Sequence, residues 1–208
     1  IILDSAYAGI YSQYCGGIFK GSMALLSNFI SVSALSSNDV YGIYEYDGKG
    51  VNLYFNSVLV HGGSAASSAL YLEKVTSGTG RIRVQNNNLA NIGGGYVIYT
   101  EGRKNIQYSA KNNFYGLGTY PFHNYGFDFS DLAGWKNYCK QDTYSYEVDP
   151  AFLGYNNLHI KNPVLNGTAR FLRGVRLDND GELRDTITPD IGGDEFTPPD
   201  TNMTVYSI

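Results

Sequence analysis

The chain has 208 residues with a formal net charge of −4 at pH 7, and it contains 25 Gly, 19 Tyr and 19 Asn. These three residue types favour strands and turns, whereas a helical bundle would be rich in Ala, Leu, Glu and Lys, so the composition excludes a helix bundle. The negative charge argues against a nucleic-acid partner, whose phosphates require a basic surface. No apolar run approaches the roughly 20 residues of a membrane-spanning helix, so we expect no membrane insertion.

A short strand pattern recurs along the chain: a small or apolar residue, then an aliphatic or aromatic one, then usually Tyr. Its central residues are Ile10, Ile43, Leu70, Ile98 and Phe127, which are 33, 27, 28 and 29 residues apart. A second strand pattern alternates with it and ends in Asn-rich turns at 26–29, 54–57, 85–89 and 111–114. A period of about 28 residues predicts an all-β fold, a parallel β-helix solenoid of about five coils over residues 1–130, with the central residues stacked as an interior ladder. An antiparallel β-sandwich is the alternative, but it gives no reason for a constant period.

Residues 131–196 lack the repeat and predict an irregular C-terminal closing segment of the same domain. We expect Trp135, the only tryptophan, to anchor this segment to the last coil. Adjacent prolines at 198–199 favour an extended chain, so residues 197–208 are interpreted as a linker and the start of a following domain. Other domains of the same polypeptide are therefore expected partners. Cys15 and Cys139 would lie at opposite ends of the coil stack, too far apart for a disulfide bond.

These features together resemble right-handed parallel β-helix proteins of the pectin-lyase-like fold. The Asn-rich turns resemble the asparagine ladders of that fold, in which Asn tolerates the left-handed backbone and bonds along the stack. The segments at 131–135, 141–145, 149–152, 157–163, 177–184 and 189–196 are similar to the closing segment of β-helix domains in large secreted surface proteins of Gram-negative bacteria, of the kind exported by type IX secretion. Family members more often carry Gly-Ala at 192–193 and Ser-Pro at 162–163.

The resemblance implies an extracellular, secreted or cell-surface location and a structural or adhesive function that includes contact with polysaccharide. It also implies an alternative, because enzymes of this fold act on acidic glycans as polysaccharide lyases or glycoside hydrolases. A lyase needs a base and a cation that neutralises the uronate. Arg81 and Arg83 are the catalytic candidates, and Arg103 and Lys104 also lie near strands. The same residues suit a solvated outer face, and no acid or histidine on the same segment completes a site.

Four tyrosines each follow the predicted interior ladder by one residue: Tyr11, Tyr44, Tyr71 and Tyr99. Neighbouring residues of a strand point to opposite faces, so these rings should form an outer stripe. An exposed aromatic stripe suits stacking against sugar rings. It also suits simple coverage of the solenoid by cross-strand aromatic pairs, and the sequence leaves both interpretations open.

Carboxylates at Asp178, Asp180 and Glu182, with Gly181 between them, resemble the start of a calcium loop. Pro189 stands where an EF-hand would place its bidentate Glu, and a tight Asn-Asp-Gly turn explains the same residues. These three acids are therefore the metal candidates, and no other cofactor is expected.

A second arrangement of acids follows the coil period. Glu45, Glu73 and Glu101 are spaced by 28 and 28, which would stack three carboxylates along one edge. Such a stack would bind Ca²⁺ or be neutralised by neighbouring basic residues, because carboxylates about 4.8 Å apart repel each other. His159 lies in a Leu-His-Ile strand pattern and is interpreted as structural.

Overall fold

The structure, a computed structural model, describes residues 1–4, 7–15, 23–73, 82–102 and 105–198. The strands are β1 (Ile2–Asp4), β2 (Ala8–Gln13), β3 (Ala24–Leu26), β4 (Phe29–Ser33), β5 (Tyr41–Tyr46), β6 (Asn52–Tyr54), β7 (Ser57–Val60), β8 (Ser68–Glu73), β9 (Ile82–Gln85), β10 (Asn88–Asn91), β11 (Tyr96–Thr100), β12 (Ile106–Ala110), β13 (Asn113–Gly116), β14 (Phe122–Asn124) and β15 (Phe127–Phe129). One α-helix, α1 (Leu132–Cys139), and one 3₁₀ turn (Pro163–Leu165) follow them.

The strands form three sheets that together make a parallel β-solenoid. Sheet A contains β1, β4, β7, β10 and β13, sheet B contains β2, β5, β8, β11 and β14, and sheet C contains β3, β6, β9 and β12. Each turn of the chain adds one strand to sheet B, then to sheet C, then to sheet A, and every pairing among these strands is parallel. The predicted fold class is confirmed. Over the described residues there are four complete turns rather than about five.

The interior ladder is confirmed for its first four members and wrong for the fifth. Register places Ile10, Ile43, Leu70 and Ile98 in one column of sheet B. The next member is Phe122, not Phe127. A hairpin at Tyr125 and Gly126, both with positive φ, reverses the chain into β15, which pairs antiparallel with β14. Phe127 is consequently 49% exposed, and the incipient fifth coil consists of β14 alone.

The predicted asparagine ladder connects successive turns. Its members are Asn28, Asn56, Asn87 and Asn112. The Nδ2 group of Asn56 donates to Asn87 Oδ1 at 2.9 Å, and Asn87 Nδ2 donates to Asn112 Oδ1 at 3.1 Å. The left-handed residue of each turn, however, is the one before the ladder asparagine, such as Phe55 with φ 56° or Lys111 with φ 54°. The ladder Asn is therefore selected for its amide hydrogen bonds and not for its backbone conformation.

Trp135 joins the closing segment to the end of the solenoid, as predicted. Helix α1 begins after Asp131, whose side chain accepts a hydrogen bond from the Gly134 N–H at 2.7 Å. The buried Trp135 ring stacks on Phe122 with 5.6 Å between centroids, and its Nε1 donates to Asp142 at 2.6 Å. No helix in the described part of the chain combines the length and the apolar character that a membrane crossing requires.

After α1 the chain runs back along the solenoid with little regular secondary structure. Leu158 packs against Leu59 and Ala90 of sheet A. Near the first complete turn, the Ser27 hydroxyl donates to the Leu177 carbonyl at 3.0 Å. The segment therefore contacts both ends of the coil stack. The proposed domain boundaries stay a prediction, and residues 199–208, which include most of the expected linker and following strand, lie outside the described residues. Both cysteines are free, as expected.

Candidate functional site

Two consecutive inward residues in each strand of sheet B decide where the tyrosines lie. In β8 and β11 these pairs are Ala69–Leu70 and Val97–Ile98, all with no exposed surface. In β5 the first residue of the pair is Gly42, where a Cβ atom would lie 2.2 Å from Val58 Cγ1. The residues before and after each inward pair both face outward. This departure from strict alternation allows one strand to present two outer rings three residues apart.

The tyrosines after the inward pairs form a continuous row along the solenoid axis. The four predicted rings, Tyr11, Tyr44, Tyr71 and Tyr99, are in register on β2, β5, β8 and β11. Their successive centroids are 5.0, 4.9 and 4.9 Å apart. His123 on β14 extends the row, with its ring stacked on Tyr99 at 4.0 Å. The predicted outer stripe is therefore present, and it is one ring longer than the sequence suggested.

A second set of rings, which the sequence reasoning missed, lies beside this row. Tyr41 and Tyr96 stand before the inward pairs and contact Tyr71 and Tyr99 at 4.8 and 5.0 Å. Tyr7 precedes β2 and contacts Tyr41 at 5.2 Å. We call the whole surface the tyrosine face: Tyr7, Tyr11, Tyr41, Tyr44, Tyr71, Tyr96, Tyr99 and His123. The available signal was the spacing of three in Tyr41/Tyr44 and Tyr96/Tyr99, which strict strand alternation did not interpret.

The tyrosine face combines ordered and accessible rings. Tyr7 and Tyr11 at the first turn are 56% and 49% exposed, whereas Tyr41 and Tyr44 are each only 7% exposed. The rings of Tyr71, Tyr96 and Tyr99 are half-buried. Tyrosine pairs of this kind stabilise a sheet by about 0.5–1.5 kcal/mol each beyond the area that they bury. The buried rings therefore hold the exposed ones in a fixed arrangement.

Carboxylates lie beside the rings and bond to their polar groups. The Tyr44 hydroxyl donates to Glu73, and the Tyr71 hydroxyl donates to Glu101 Oε1 at 3.0 Å. His123 Nδ1 lies 2.7 Å from Asp128 Oδ1. Burial, together with the nearby Glu101 carboxylate, raises the pKa of Tyr71 well above its usual range. The hydroxyl hence stays protonated and remains a donor throughout the physiological range.

Glu45 does not join the other two acids. The register pairs Glu45 with Leu72 and places Glu73 opposite Tyr46, so Glu45 points inward and the predicted stack of three carboxylates is wrong. Its side chain has no exposed surface, and burial raises its pKa to about 8. The Ser12 hydroxyl donates to Oε2, while Oε1 has no hydrogen-bond partner among the described residues. The cause is that β5 and β8 are offset by 27 residues, not by 28.

The candidates for lyase chemistry are placed on another side of the solenoid. Arg83 is exposed on β9 of sheet C, and its Nε lies 3.4 Å from Gln107 Oε1. Arg81, Arg103 and Lys104 lie outside the described residues. Within the described residues, no ion pair joins Arg83 to an acid or histidine.

The three calcium candidates have different environments. Asp178 is 6% exposed, and its Oδ1 accepts hydrogen bonds from the backbone N–H groups of Asp180 and Glu182 at 2.9 and 2.8 Å. Its role is thus to shape a tight turn, with Gly181 at φ 86°. Asp180 and Glu182 are exposed, but Asp180 Oδ2 lies 2.7 Å from His159 Nε2. The structure therefore brings Asp180 to a histidine that the sequence interpretation had treated as structural.

Comparison with family models, with curated proteins and with solved structures gives no match for this chain. The β-solenoid fold by itself is compatible with many functions. A function has to be argued from the geometry of the tyrosine face and of the surrounding side chains.

Proposed function

We propose that the tyrosine face binds polysaccharide, and that the chain is a non-catalytic, structural or adhesive β-solenoid module of an extracellular or cell-surface protein. The observation that supports this most directly is the axial row of rings at intervals of 4.9–5.0 Å. An aromatic row of this kind lets consecutive sugar units of an extended chain each lie on a ring. The apolar faces of sugars pack on the rings, while the phenol hydroxyls remain available for polar contacts.

The carboxylates beside the row favour a neutral glycan. Glu73, Glu101 and Asp128 all contact ring residues of the face, and Asp39 lies beside Tyr41. Carboxylates accept strong hydrogen bonds from sugar hydroxyls and repel uronates. We therefore propose a neutral polysaccharide as the ligand. An acidic glycan is the substrate class of the alternative, a polysaccharide lyase or glycoside hydrolase using Arg81 or Arg83.

We also propose the finer family relationship suggested by the sequence. The asparagine ladder and the motifs of residues 131–196 support a pectin-lyase-like β-helix of the kind carried by large secreted bacterial surface proteins that use type IX secretion. Other domains of the same polypeptide would then present this module at the cell surface. The full-length gene product tests this relationship, since a type IX module requires a C-terminal secretion domain further along the polypeptide.

Binding to soluble polysaccharides tests the ligand. The 208-residue chain is titrated by calorimetry with neutral glucan, xylan and mannan and, separately, with polygalacturonate. Tyr99→Ala removes the ring between Tyr71 and His123, and we expect binding to the neutral ligand to weaken about tenfold, equivalent to about 1.4 kcal/mol. Tyr108→Ala is the matched control, because Tyr108 is 39% exposed on β12 of sheet C, away from the row.

Three outcomes would contradict the proposal. Absence of binding to every neutral polysaccharide would reject the ligand class. An equal loss of affinity in Tyr99→Ala and Tyr108→Ala would reject the tyrosine face as the site. Ultraviolet absorbance from unsaturated products during incubation with polygalacturonate would instead support the lyase alternative.

A further inference from the structure

A cleft in the closing segment, remote in sequence from the tyrosine face, brings a histidine and two aspartates together. The cleft has a volume of about 320 Å³, and its lining includes His159, Asp180 and Asp194. One ligand atom from each of these three side chains lies within 4.8 Å of the other two. Two atoms bonded to one zinc-type ion at about 2.1 Å are at most about 4.2 Å apart. The widest pair would thus have to close by roughly half an ångström, which rotation of the exposed Asp180 can supply.

The hydrogen bonds of Asn157 fix the proton on the histidine ring. Asn157 Oδ1 accepts the backbone N–H of His159 at 3.2 Å, so this amide atom is the oxygen. The same oxygen contacts His159 Nδ1, and Nδ1 must therefore carry a hydrogen. In the neutral ring Nε2 is then a lone pair, and it faces Asp180 Oδ2 at 2.7 Å. Two acceptors at this distance require a cation between them, either a second ring proton or a metal ion.

Asp194 adds a negative charge that has few donors of its own. It is only 4% exposed, and the one hydrogen bond to its carboxylate from the described residues comes from the Ile160 N–H at 3.0 Å. By contrast, the buried carboxylate of Asp142 accepts bonds from four side chains. Lys161 lines the same cleft, but no ion pair within the described residues joins it to the three groups. A buried carboxylate in this position is stabilised by a nearby cation.

We propose that His159, Asp180 and Asp194 bind a divalent transition-metal ion of the zinc class. Imidazole nitrogen with carboxylate oxygens suits Zn²⁺, Co²⁺ or Ni²⁺, whereas Ca²⁺ prefers ligands that are all oxygen. The contact of Nδ1 with Asn157 orients the ring in the way that metal-bound histidines are usually held. The fourth position faces the cleft and is open to water or another ligand. The site differs from the calcium candidates of the sequence, since it uses Asp180 but neither Asp178 nor Glu182.

Such an ion would cross-link three stretches of the closing segment that are separated by up to 35 residues. This region has no extended sheet of its own over residues 140–198. Binding of a ligand to the folded state alone stabilises that state in proportion to the logarithm of its concentration. The ion would hence hold the closing segment against sheet A.

Metal binding is measured on the untagged 208-residue chain after EDTA treatment and dialysis. Calorimetry with Zn²⁺ and, separately, with Ca²⁺ gives affinity and stoichiometry, and Co²⁺ absorption reports the ligand type. Asp180→Asn should weaken Zn²⁺ binding at least about tenfold, whereas Glu182→Gln, which removes an exposed carboxyl of the same turn, should leave it unchanged. Zn²⁺ should raise the melting temperature of the native chain and of Glu182→Gln, but not of Asp180→Asn. Should Asp180→Asn fail to fold without metal, His159→Gln replaces it.

Several results would overturn the proposal. Absence of Zn²⁺ binding would mean that an imidazolium–aspartate pair alone occupies the cleft. Equal affinity in Asp180→Asn and Glu182→Gln would place the ion elsewhere, and tighter binding of Ca²⁺ than of Zn²⁺ would reject the nitrogen ligand. A thiolate-to-cobalt charge-transfer band would assign the metal to Cys15 or Cys139.

Discussion

Replacing Glu45 by Gln tests whether a carboxyl is buried inside the solenoid, as the register of β5 and β8 requires. Glu45 has no exposed surface, and its pKa is raised to about 8 by burial. The unfolded chain has the ordinary value near 4.5. Between these two values the unfolded state releases the proton while the folded state keeps it, so rising pH favours unfolding. The penalty is absent below pH 4.5, grows up to pH 8, and is constant above it.

The size of the effect follows from the linkage relation. Full burial predicts that the native protein loses about 3.5 kcal/mol of unfolding free energy between pH 5 and pH 8 because of this one group. Solvent near the end of β5 screens part of the charge, and we therefore expect about 2–3 kcal/mol. Glu45→Gln cannot ionise. Its stability should accordingly exceed that of the native protein by a margin that widens by this amount across the window.

Urea denaturation at pH 5, 6, 7 and 8, followed by far-ultraviolet circular dichroism, measures the difference. Other buried acids titrate in both proteins, so the difference between the two curves isolates Glu45. Glu182→Gln removes one exposed carboxyl and controls for the change in net charge. A difference between native and Glu45→Gln that stays constant from pH 5 to pH 8 would refute burial of the carboxyl.

Two further substitutions test the stacking of the coils by chemical denaturation. Asn87→Ala should lower the unfolding free energy by about 3 kcal/mol, because it leaves buried donors and acceptors of two neighbouring turns unpaired; Asn137→Ala, at an exposed helix position, should change it by less than about 0.5 kcal/mol. Gly42→Ala should cost about 2 kcal/mol, since the new methyl group would lie 2.2 Å from Val58, whereas Gly174→Ala meets no atom within 4 Å and should be nearly neutral. Equal costs within either pair would contradict the stacking order.

The parallel solenoid could be predicted because each coil repeats the same local requirements. An aliphatic residue such as Leu70 fills the interior, a ladder residue such as Asn87 satisfies buried backbone groups, and the spacing between coils stays near 28 residues. A repeat restricts pairing to the neighbouring turns, so local sequence carries most of the topology. The prediction fails at Phe127, where the hairpin at Tyr125 and Gly126 ends the repeat.

The row of four tyrosines could also be predicted, but its full extent could not. Tyr41 and Tyr96 join the tyrosine face because two consecutive residues of each sheet B strand point inward, and this bend is a property of the closed coil. His123 joins it through the stacking of β14 on β11. The displacement of Glu45 from Glu73 has the same origin, since an offset of one residue moves a side chain to the opposite face.

The excess of Tyr, Gly and Asn by itself determined strands, turns and a repeating coil, since these depend on contacts at short and regular separations. Only the tertiary structure decided what the closing segment assembles. His159, Asp180 and Asp194 stand in three irregular stretches, and no periodicity relates their positions in the sequence. Their meeting depends on how residues 131–198 fold back along sheet A, a path set by long-range packing of Leu158 on Leu59 and Ala90. Contacts of this kind leave no local signal, which is why the sequence suggested other acids for the metal.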